Sequence, residues 1–214
     1  MDATSHADIV RNRFLNSKPS PNRNKEAINL DTPDHSTLGW SQKWSKFDRT
    51  PNRDITIKDN EFYDLDRPVG THKYSGGKYH DHVVIRHNAI EKTRQDAIRL
   101  MNWSNALIAD NTIKNVAEGT GSYRGILASG AIHPTFENNA IEHAARPMQF
   151  LVWRNNGPGS QYDMIYNDLN EEDIKALRTN KVKPPTEGFI RINKAYNSFT
   201  KENTDLIPVR IMKN

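Results

Sequence analysis

The chain has 214 residues, of which 35% are hydrophobic and 26% are charged. This length suffices for one domain, but the composition is polar for a compact globule and favours an elongated solenoid with a thin core. The lack of cysteine excludes a disulfide framework, a thiolate metal site and a cysteine nucleophile, while the net charge of +4 favours polyanionic partners without selecting one.

One short pattern recurs five times along the chain. It is an apolar residue, two variable residues, asparagine, one variable residue and then Ile or Phe. The fixed asparagines are Asn12, Asn60, Asn88, Asn111 and Asn139. Their residue numbers differ successively by 48, 28, 23 and 28. Three spacings fit one coil of a parallel β-helix and the first is about twice as long, so residues 17–53 contain a long excursion.

The asparagine has a structural explanation. Apolar and polar residues alternate within each repeat, which predicts a strand, and the asparagine lies where that strand turns. Asparagine tolerates left-handed backbone angles, and its amide can donate to and accept from the same amide one coil away. We therefore expect the asparagines to stack in a ladder that acts as scaffold.

A second alternating segment lies between most repeats, at residues 27–31, 97–100, 125–128 and 148–150. Because successive side chains of a strand change face, one set should point inward and the other outward. The inward set is Ile28, Ile98, Ile126 and Met148. The outward set is Asn29, Arg99, Leu127 and Gln149. A sandwich of ordinary strands is the alternative, but it has no reason to keep asparagine at one offset.

The pattern stops after the fifth repeat. We predict β-helix coils over 1–155, with a loop insertion at about 32–53, and a C-terminal loop, helix and strand cap over 156–214. Asn170 is the expected N-cap of a short helix that contains Ile174 and Leu177. No comparable cap is visible at the other end, so either an upstream part or a partner is expected to cover it.

These features resemble the pectate-lyase-like right-handed parallel β-helix superfamily, whose coils carry such an asparagine ladder. The resemblance covers about residues 7–155. The segments that are similar to bacterial secreted or surface β-helix repeat proteins are 26–31, 48–57, 70–72 and 77–80. The implied fold class is all-β, a right-handed parallel β-helix solenoid with a short C-terminal helix and capping strands.

The resemblance implies binding of long sugar chains in an outer groove, and a secreted or cell-surface bacterial location. The chain lacks the Trp-Ile-Asp-His segment of pectate and pectin lyases and the Asn-Thr-Asp, Asp-Asp and Gly-His-Gly series of polygalacturonases. Neither mechanism can therefore be carried over. We favour a polysaccharide lyase or glycoside hydrolase acting on an acidic polysaccharide. The alternative is a non-catalytic polysaccharide-binding region of a surface adhesin or phage tail protein.

The preferred site lies on the outward face of the sheet that the second alternating segment of each coil forms. Its candidate catalytic residues are Asp31, Glu26, His72 and Arg99. Glycoside hydrolysis needs two carboxyl groups, which Glu26 with Asp31 or Asp96 could supply. The plain structural alternative is that the carboxylates are turn residues and the arginines are solvated or ion-paired.

A lyase instead needs a base and a cation that neutralises the uronate carboxylate. The candidate bases are His72, Tyr74 and Lys78. The candidate cations are Arg99, Arg124 and Arg146. Trp40 and Trp44 lie among basic residues, a mixture suited to stacking on acidic sugars or simply to anchoring a loop. We expect the substrate-binding set to be Trp40, Trp44, Tyr74, Lys78, Arg124 and Arg146. Trp103 could extend the same surface.

No cofactor or metal is expected. His80, His82 and His87 suggest a metal site, but His82 and His87 differ by an odd number and no third ligand is evident, so we prefer solvent-facing or loop histidines. Calcium is left open through Asp31, Asp34 or Asp48, without a recognisable loop. We expect no nucleic-acid partner, because no continuous basic block is present, and no membrane span. The oligomeric state is not predicted.

Overall fold

A computed structural model describes residues 1–19, 26–32, 50–71, 78–117, 123–151, 153–154, 167–184, 190–192, 195–197, 203–204 and 209–211. In chain order the elements are β1 (Ser5–Val10), β2 (Arg13–Leu15), β3 (Glu26–Asn29), β4 (Arg53–Lys58), β5 (Glu61–Leu65), β6 (Arg67–Gly70), β7 (His80–Arg86), β8 (Ala89–Thr93), β9 (Ile98–Ser104), β10 (Leu107–Ala109), β11 (Thr112–Val116), β12 (Arg124–Ile132), β13 (Thr135–Glu137), β14 (Ala140–Glu142), β15 (Arg146–Phe150), β16 (Trp153–Arg154), β17 (Asn167–Leu169), α1 (Glu171–Leu177), β18 (Lys181–Lys183), β19 (Ile190–Ile192), β20 (Ala195–Asn197), β21 (Asn203–Thr204) and β22 (Val209–Ile211).

The strands form a parallel β-helix with three strands in each coil. The first sheet stacks β1, β4, β7, β10 and β13. The second sheet stacks β2, β5, β8, β11, β14 and β18. The third sheet stacks β3, β6, β9, β12, β15 and β19. Every pair in these stacks is parallel, and the predicted fold class, including its short C-terminal helix, is therefore confirmed.

The core consists of apolar side chains from the three sheets that stack on their equivalents in the next coil. In the second sheet Phe62 pairs with Phe14 and Ile90, and the rings of Phe14 and Phe62 stack with centroids 4.9 Å apart. The predicted inward set of the third sheet is confirmed: Ile28, Ile98, Ile126 and Met148 are at most 5% exposed and belong to the core. Each coil thus buries its apolar residues only with neighbouring coils.

The asparagine ladder holds these coils in register. Each ladder side chain donates from Nδ2 to Oδ1 of the asparagine one coil on, at 2.8 to 3.2 Å. The backbone N–H of the same residue donates to the same Oδ1 at 2.8 to 3.1 Å. Asn180 is a sixth member, which the sequence search missed because Val182 stands where the pattern required Ile or Phe.

The left-handed backbone does not fall on the ladder asparagines, as the sequence suggested, but on the residue before each of the first five. Those residues are Arg11, Asp59, His87, Asp110 and Asn138, with φ of 53 to 58°. Two further columns turn the other corners: Asn16, Asp64, Lys92, Asn115 and His143, and then His6, Asp54, His82, Asn105 and His133. Except for Arg11 and Lys92, all are Asn, Asp or His, the side chains that best tolerate this conformation.

The last coil replaces a first-sheet strand with the helix. Strand β17 extends the third-sheet stack beside the end of β12, where Ile132 pairs with Asp168 and the backbone N–H of Ala131 donates to Asn167 Oδ1 at 2.9 Å. Helix α1 follows, with the predicted N-cap: Asn170 accepts from the backbone N–H of Asp173, and Asp173 accepts from that of Asn170 in return. Among the described residues, no helix is long and apolar enough to cross a membrane.

The ladder should be a major source of stability. Replacing Asn111 with alanine leaves buried donors and acceptors unpaired on both sides, because Asn111 accepts two bonds from Asn88 and donates to Ile85 and Asn139. Each unpaired buried polar group costs on the order of 1–3 kcal/mol, so we expect a loss of at least about 3 kcal/mol in urea unfolding. The matched variant Asn12→Ala, at an exposed end of the ladder, should lose much less. Equal losses would contradict a ladder whose strength depends on burial.

Candidate anion-binding face of the third sheet

A column of charged residues stands at the start of the third-sheet strands. The register pairs Glu26 with Arg67 and Arg124 with Arg146. It also places Asp96 between Arg67 and Arg124, because Val69 pairs with Ile98 and Ile98 with Ile126. We call this series the charge column: Glu26, Arg67, Asp96, Arg124 and Arg146. The charges alternate in sign over the first four residues, and the fifth, Arg146, has the same sign as the fourth.

Arg67 is clamped between two carboxylates from neighbouring coils. Its Nη1 donates to Glu26 Oε1, and its Nη2 donates to Gln95 Oε1 at 2.7 Å and lies 3.9 Å from Asp96 Oδ2. The side chains of Glu26, Arg67 and Asp96 are only 3%, 2% and 3% exposed. Charges this deeply buried persist only when they are paired, so these contacts fix three coils to one another.

Arg124 connects the column to the outward row of the same sheet. Its backbone N–H donates to Asp96 Oδ1 at 2.9 Å, and its Nη1 lies 3.4 Å from the same oxygen. Its Nε donates to Gln149 Oε1. This bond sets the orientation of the Gln149 amide, so its Nε2 points away from Arg124. Among the described residues no acceptor reaches that Nε2, although Gln149 is 1% exposed.

Gly70 makes room for two arginines on this face. A Cβ at Gly70 would lie 2.9 Å from the carbonyl oxygen of Arg99, 3.0 Å from Arg99 Cβ and 3.1 Å from Arg67 Cδ. Such distances are shorter than van der Waals contact, so a larger residue would displace Arg67 or Arg99. The absence of a side chain at Gly70 therefore leaves room for the side chains of Arg67 and Arg99.

The predicted site residues fall on different parts of the third sheet. Glu26, Arg124 and Arg146 lie at the edge next to the second sheet, whereas Asp31 and Lys78 lie at the edge next to the first. Arg99 stands between them, on the same face as Gly70. Its strand β9 is two coils away from β3, which Asp31 follows. His72, Trp40, Trp44 and Tyr74 lie outside the described residues, so the convergence of Asp31, His72 and Arg99 stays a prediction.

This arrangement favours the binding of anions over acid catalysis. Glu26 and Asp96 both face Arg67 and are almost fully buried, whereas a carboxyl pair for hydrolysis must reach the sugar. Arg124 is 14% exposed and Arg146 is half-buried. The cations at the end of the charge column are therefore more accessible than its acids.

Sequence reasoning missed Arg67 and misplaced Trp103. Arg67 could have been found from the sequence. Val69 and Gly70 lie one coil before Ile98 and Arg99, so Arg67 corresponds to Asp96 at the start of the next third-sheet strand. Trp103 does not extend the outer surface: it is fully buried in the core and donates from Nε1 to Thr71 Oγ1 at 2.5 Å. Strand alternation would point Trp103 outward. The backbone at Asn102 is left-handed, however, and this reverses the alternation, so Trp103 points into the core.

The prediction of solvent-facing or loop histidines is confirmed for the exposed His82 and His87 but is wrong for His80, which is fully buried. His82 and His87 occupy two different turn columns, and His80 is buried with its Nδ1 3.0 Å from the backbone N of Asn52. Within the described part of the chain, no group of three His, Asp or Glu residues could hold a metal ion. Asp34 and Asp48 lie outside it, so the calcium reading through them stays open.

Comparison with known proteins gives one match. A family model described as "Right handed beta helix region" matches residues 1–163. No curated protein and no solved structure matches the chain.

Replacing Arg67 should lower the free energy of unfolding more than replacing any exposed arginine does. Replacing Arg67 with methionine removes a cation from the buried Glu26 and leaves Asp96 with Arg124, which should cost about 3–5 kcal/mol in urea unfolding. Arg13→Met removes a solvent-exposed pair with Glu61 and should leave the midpoint nearly unchanged. Adding Glu26→Gln to Arg67→Met should recover part of the loss. If it does not, the cost of Arg67→Met comes from packing and not from buried charge.

Asp81 should make the protein sensitive to acid. Burial alone would raise the pKa of Asp81, but hydrogen bonds from Ser104, Asn105 and His82 outweigh it and lower that pKa. A lowered pKa in the folded state adds stability above the unfolded value of about 3.9, and this is lost as the pH falls through the folded value. Asp81→Asn should therefore be less stable than the natural chain at pH 6, and the gap should narrow at pH 3. A gap that is equal at both pH values would contradict this assignment.

Proposed function

Because the chain belongs to the family of right-handed β-helix regions, we propose that it binds an extended anionic polysaccharide along the outer face of the third sheet. The fold itself leaves the activity open, since function depends on the site that a fold carries. The proposal therefore rests on the charged side chains of this face.

One observation carries the proposal: Arg124 and Arg146 are nearest neighbours in the stack. Their backbones pair in register on β12 and β15, so the two Cα atoms are about 4.8 Å apart. Neighbouring arginines place two positive charges at one end of the charge column, and an anion bound there is attracted to both. Guanidinium groups are well suited to carboxylate and sulfate, which they can bind through two parallel hydrogen bonds.

Gln149 orients one member of this pair. Its Oε1 accepts from Arg124 Nε, which restrains the guanidinium, and Gln149 itself is only 1% exposed. The two arginines are therefore the donors that a polymer could reach at this end of the face.

A second candidate function is catalysis on the same polymer, as a lyase or a glycoside hydrolase. The cations favour a lyase, because Arg99, Arg124 and Arg146 could neutralise a uronate carboxylate while His72, Tyr74 or Lys78 removes the proton. The hydrolase is less well supported, because Glu26 is already engaged with Arg67. A secreted or cell-surface bacterial location stays a prediction.

The test compares binding to polygalacturonate, alginate, dextran and single-stranded DNA by isothermal titration calorimetry. We expect binding to the uronate polymers that weakens with salt, and none to neutral dextran. Arg146→Gln should weaken uronate binding about tenfold, since a charge-assisted hydrogen bond contributes on the order of 1.5–3 kcal/mol. Arg178→Gln, an equal charge change at an exposed position on the helix C-cap, should leave binding unchanged.

Two activity assays on the same samples separate the candidates. Unsaturated products that absorb in the ultraviolet would identify a lyase, and new reducing ends without such absorbance would identify a hydrolase. Binding without either product supports a non-catalytic role. If Arg146→Gln and Arg178→Gln have the same effect, or if DNA binds as tightly as the uronates, the proposed site or ligand class is wrong.

A further inference from the structure

The two ends of the solenoid differ in how well they are covered. In the first coil Ala7, Ile9 and Phe14 are only partly buried, although they point inward. Their partners in the next coil, Ile55, Ile57 and Phe62, are at most 1% exposed. Within the described residues, β1 and β2 each pair with one strand only. In the described part of the chain, the N-terminal end therefore presents two open strand edges and an incompletely covered core.

The ladder leaves an acceptor at the same end. Each later asparagine oxygen, from Asn60 to Asn180, accepts two N–H groups from the preceding ladder residue. Asn12 is exposed, and in the described part of the chain no N–H reaches its Oδ1. The missing donors are the backbone N–H and the Nδ2 of one further asparagine, placed one coil before Asn12 in the ladder.

The opposite end of the ladder is closed by the chain itself. Asn180 Nδ2 donates to Phe136 O and to Leu177 O, both at 2.8 Å, so its donors are used within the last coil. Leu177 is the last residue of α1, which contacts the end of the core. A second copy therefore cannot use its ladder end to satisfy Asn12.

The first three residues already lie where the end of another coil would lie. The Met1 amine donates to Asn29 O at 2.6 Å, Asp31 N donates to Met1 O at 3.0 Å, and Asp2 bridges Asp31 in parallel. Ala3 has φ of 49°, and Asn102, at the equivalent corner, has φ of 58°. Met1, Asp2 and Ala3 thus match Leu100, Met101 and Asn102 in the stack.

We propose that the N-terminal end of the solenoid is a docking surface for one further parallel β-helix coil that carries the ladder asparagine. Such a coil supplies what the surface lacks: strands for the edges of β1 and β2, apolar side chains over Ile9 and Phe14, and two N–H donors for Asn12 Oδ1. Leu15 and Tyr63, the large apolar residues that are exposed in the described chain, pair in register at this same end.

The test appends such a coil and asks whether it stacks. A copy of residues 80–99 is joined directly to Met1, so that Met1, Asp2 and Ala3 complete the coil. The asparagine copied from Asn88 then precedes Asn12 by 23 residues, the spacing between Asn88 and Asn111. We expect the melting temperature to rise by about 5 °C, because each added interface stabilises a solenoid. We also expect edge amides of β1 and β2 to exchange at least about tenfold more slowly.

A matched variant carries serine in place of the copied Ile85 and Ile90. It has the same length and ladder asparagine but no apolar side chains for the core, so the melting temperature and the amide exchange should stay at their original values. If the intact coil behaves like the serine variant, the surface does not accept a β-helix coil. If instead sedimentation finds that the natural chain is a dimer that the appended coil dissociates, a second copy is the occupant and the proposal is overturned.

Discussion

The asparagine ladder is the interaction on which the rest of this structure depends. Each ladder oxygen beyond the first accepts two N–H groups, and from Asn60 to Asn180 the side chains are at most 6% exposed. A buried amide that met a different residue one coil away would lose those bonds, so the ladder permits a single register. The apolar stacks of all three sheets follow from that register. Before each of the first five asparagines a left-handed residue then turns the chain from the first sheet into the second.

The three corners of the coil consequently differ in how much the length of the connection between strands can vary. At the ladder corner the turn is short in every coil before α1, because a longer connection would move the asparagine out of line. By contrast, the connection to the next first-sheet strand has 23 residues after β3, nine after β6 and two after β9. The length of the chain therefore varies most beside the third sheet.

The charge column contributes to the stability of this sheet, and its more exposed end is where we propose that an anionic polymer binds. Where acids and bases alternate, from Glu26 to Arg124, the side chains pair with one another and are largely buried. Where two arginines follow in succession, the signs no longer alternate and exposure increases. The order of signs along the stack therefore accompanies the degree of burial of each residue.

The sequence by itself determined the first five ladder positions, the inward residues of the third-sheet strands and the capped helix, because each leaves a local signal: asparagine at one offset, alternation within strands, and Asn170 before acidic residues. It also placed Glu26, Arg99, Arg124 and Arg146 on one sheet. Only the tertiary structure decided that Glu26 pairs with Arg67, that Trp103 turns inward and that Asn180 extends the ladder. These depend on which residues of different coils become neighbours. Coils of unequal length hide that correspondence in the sequence, and hydrogen bonds between coils establish it.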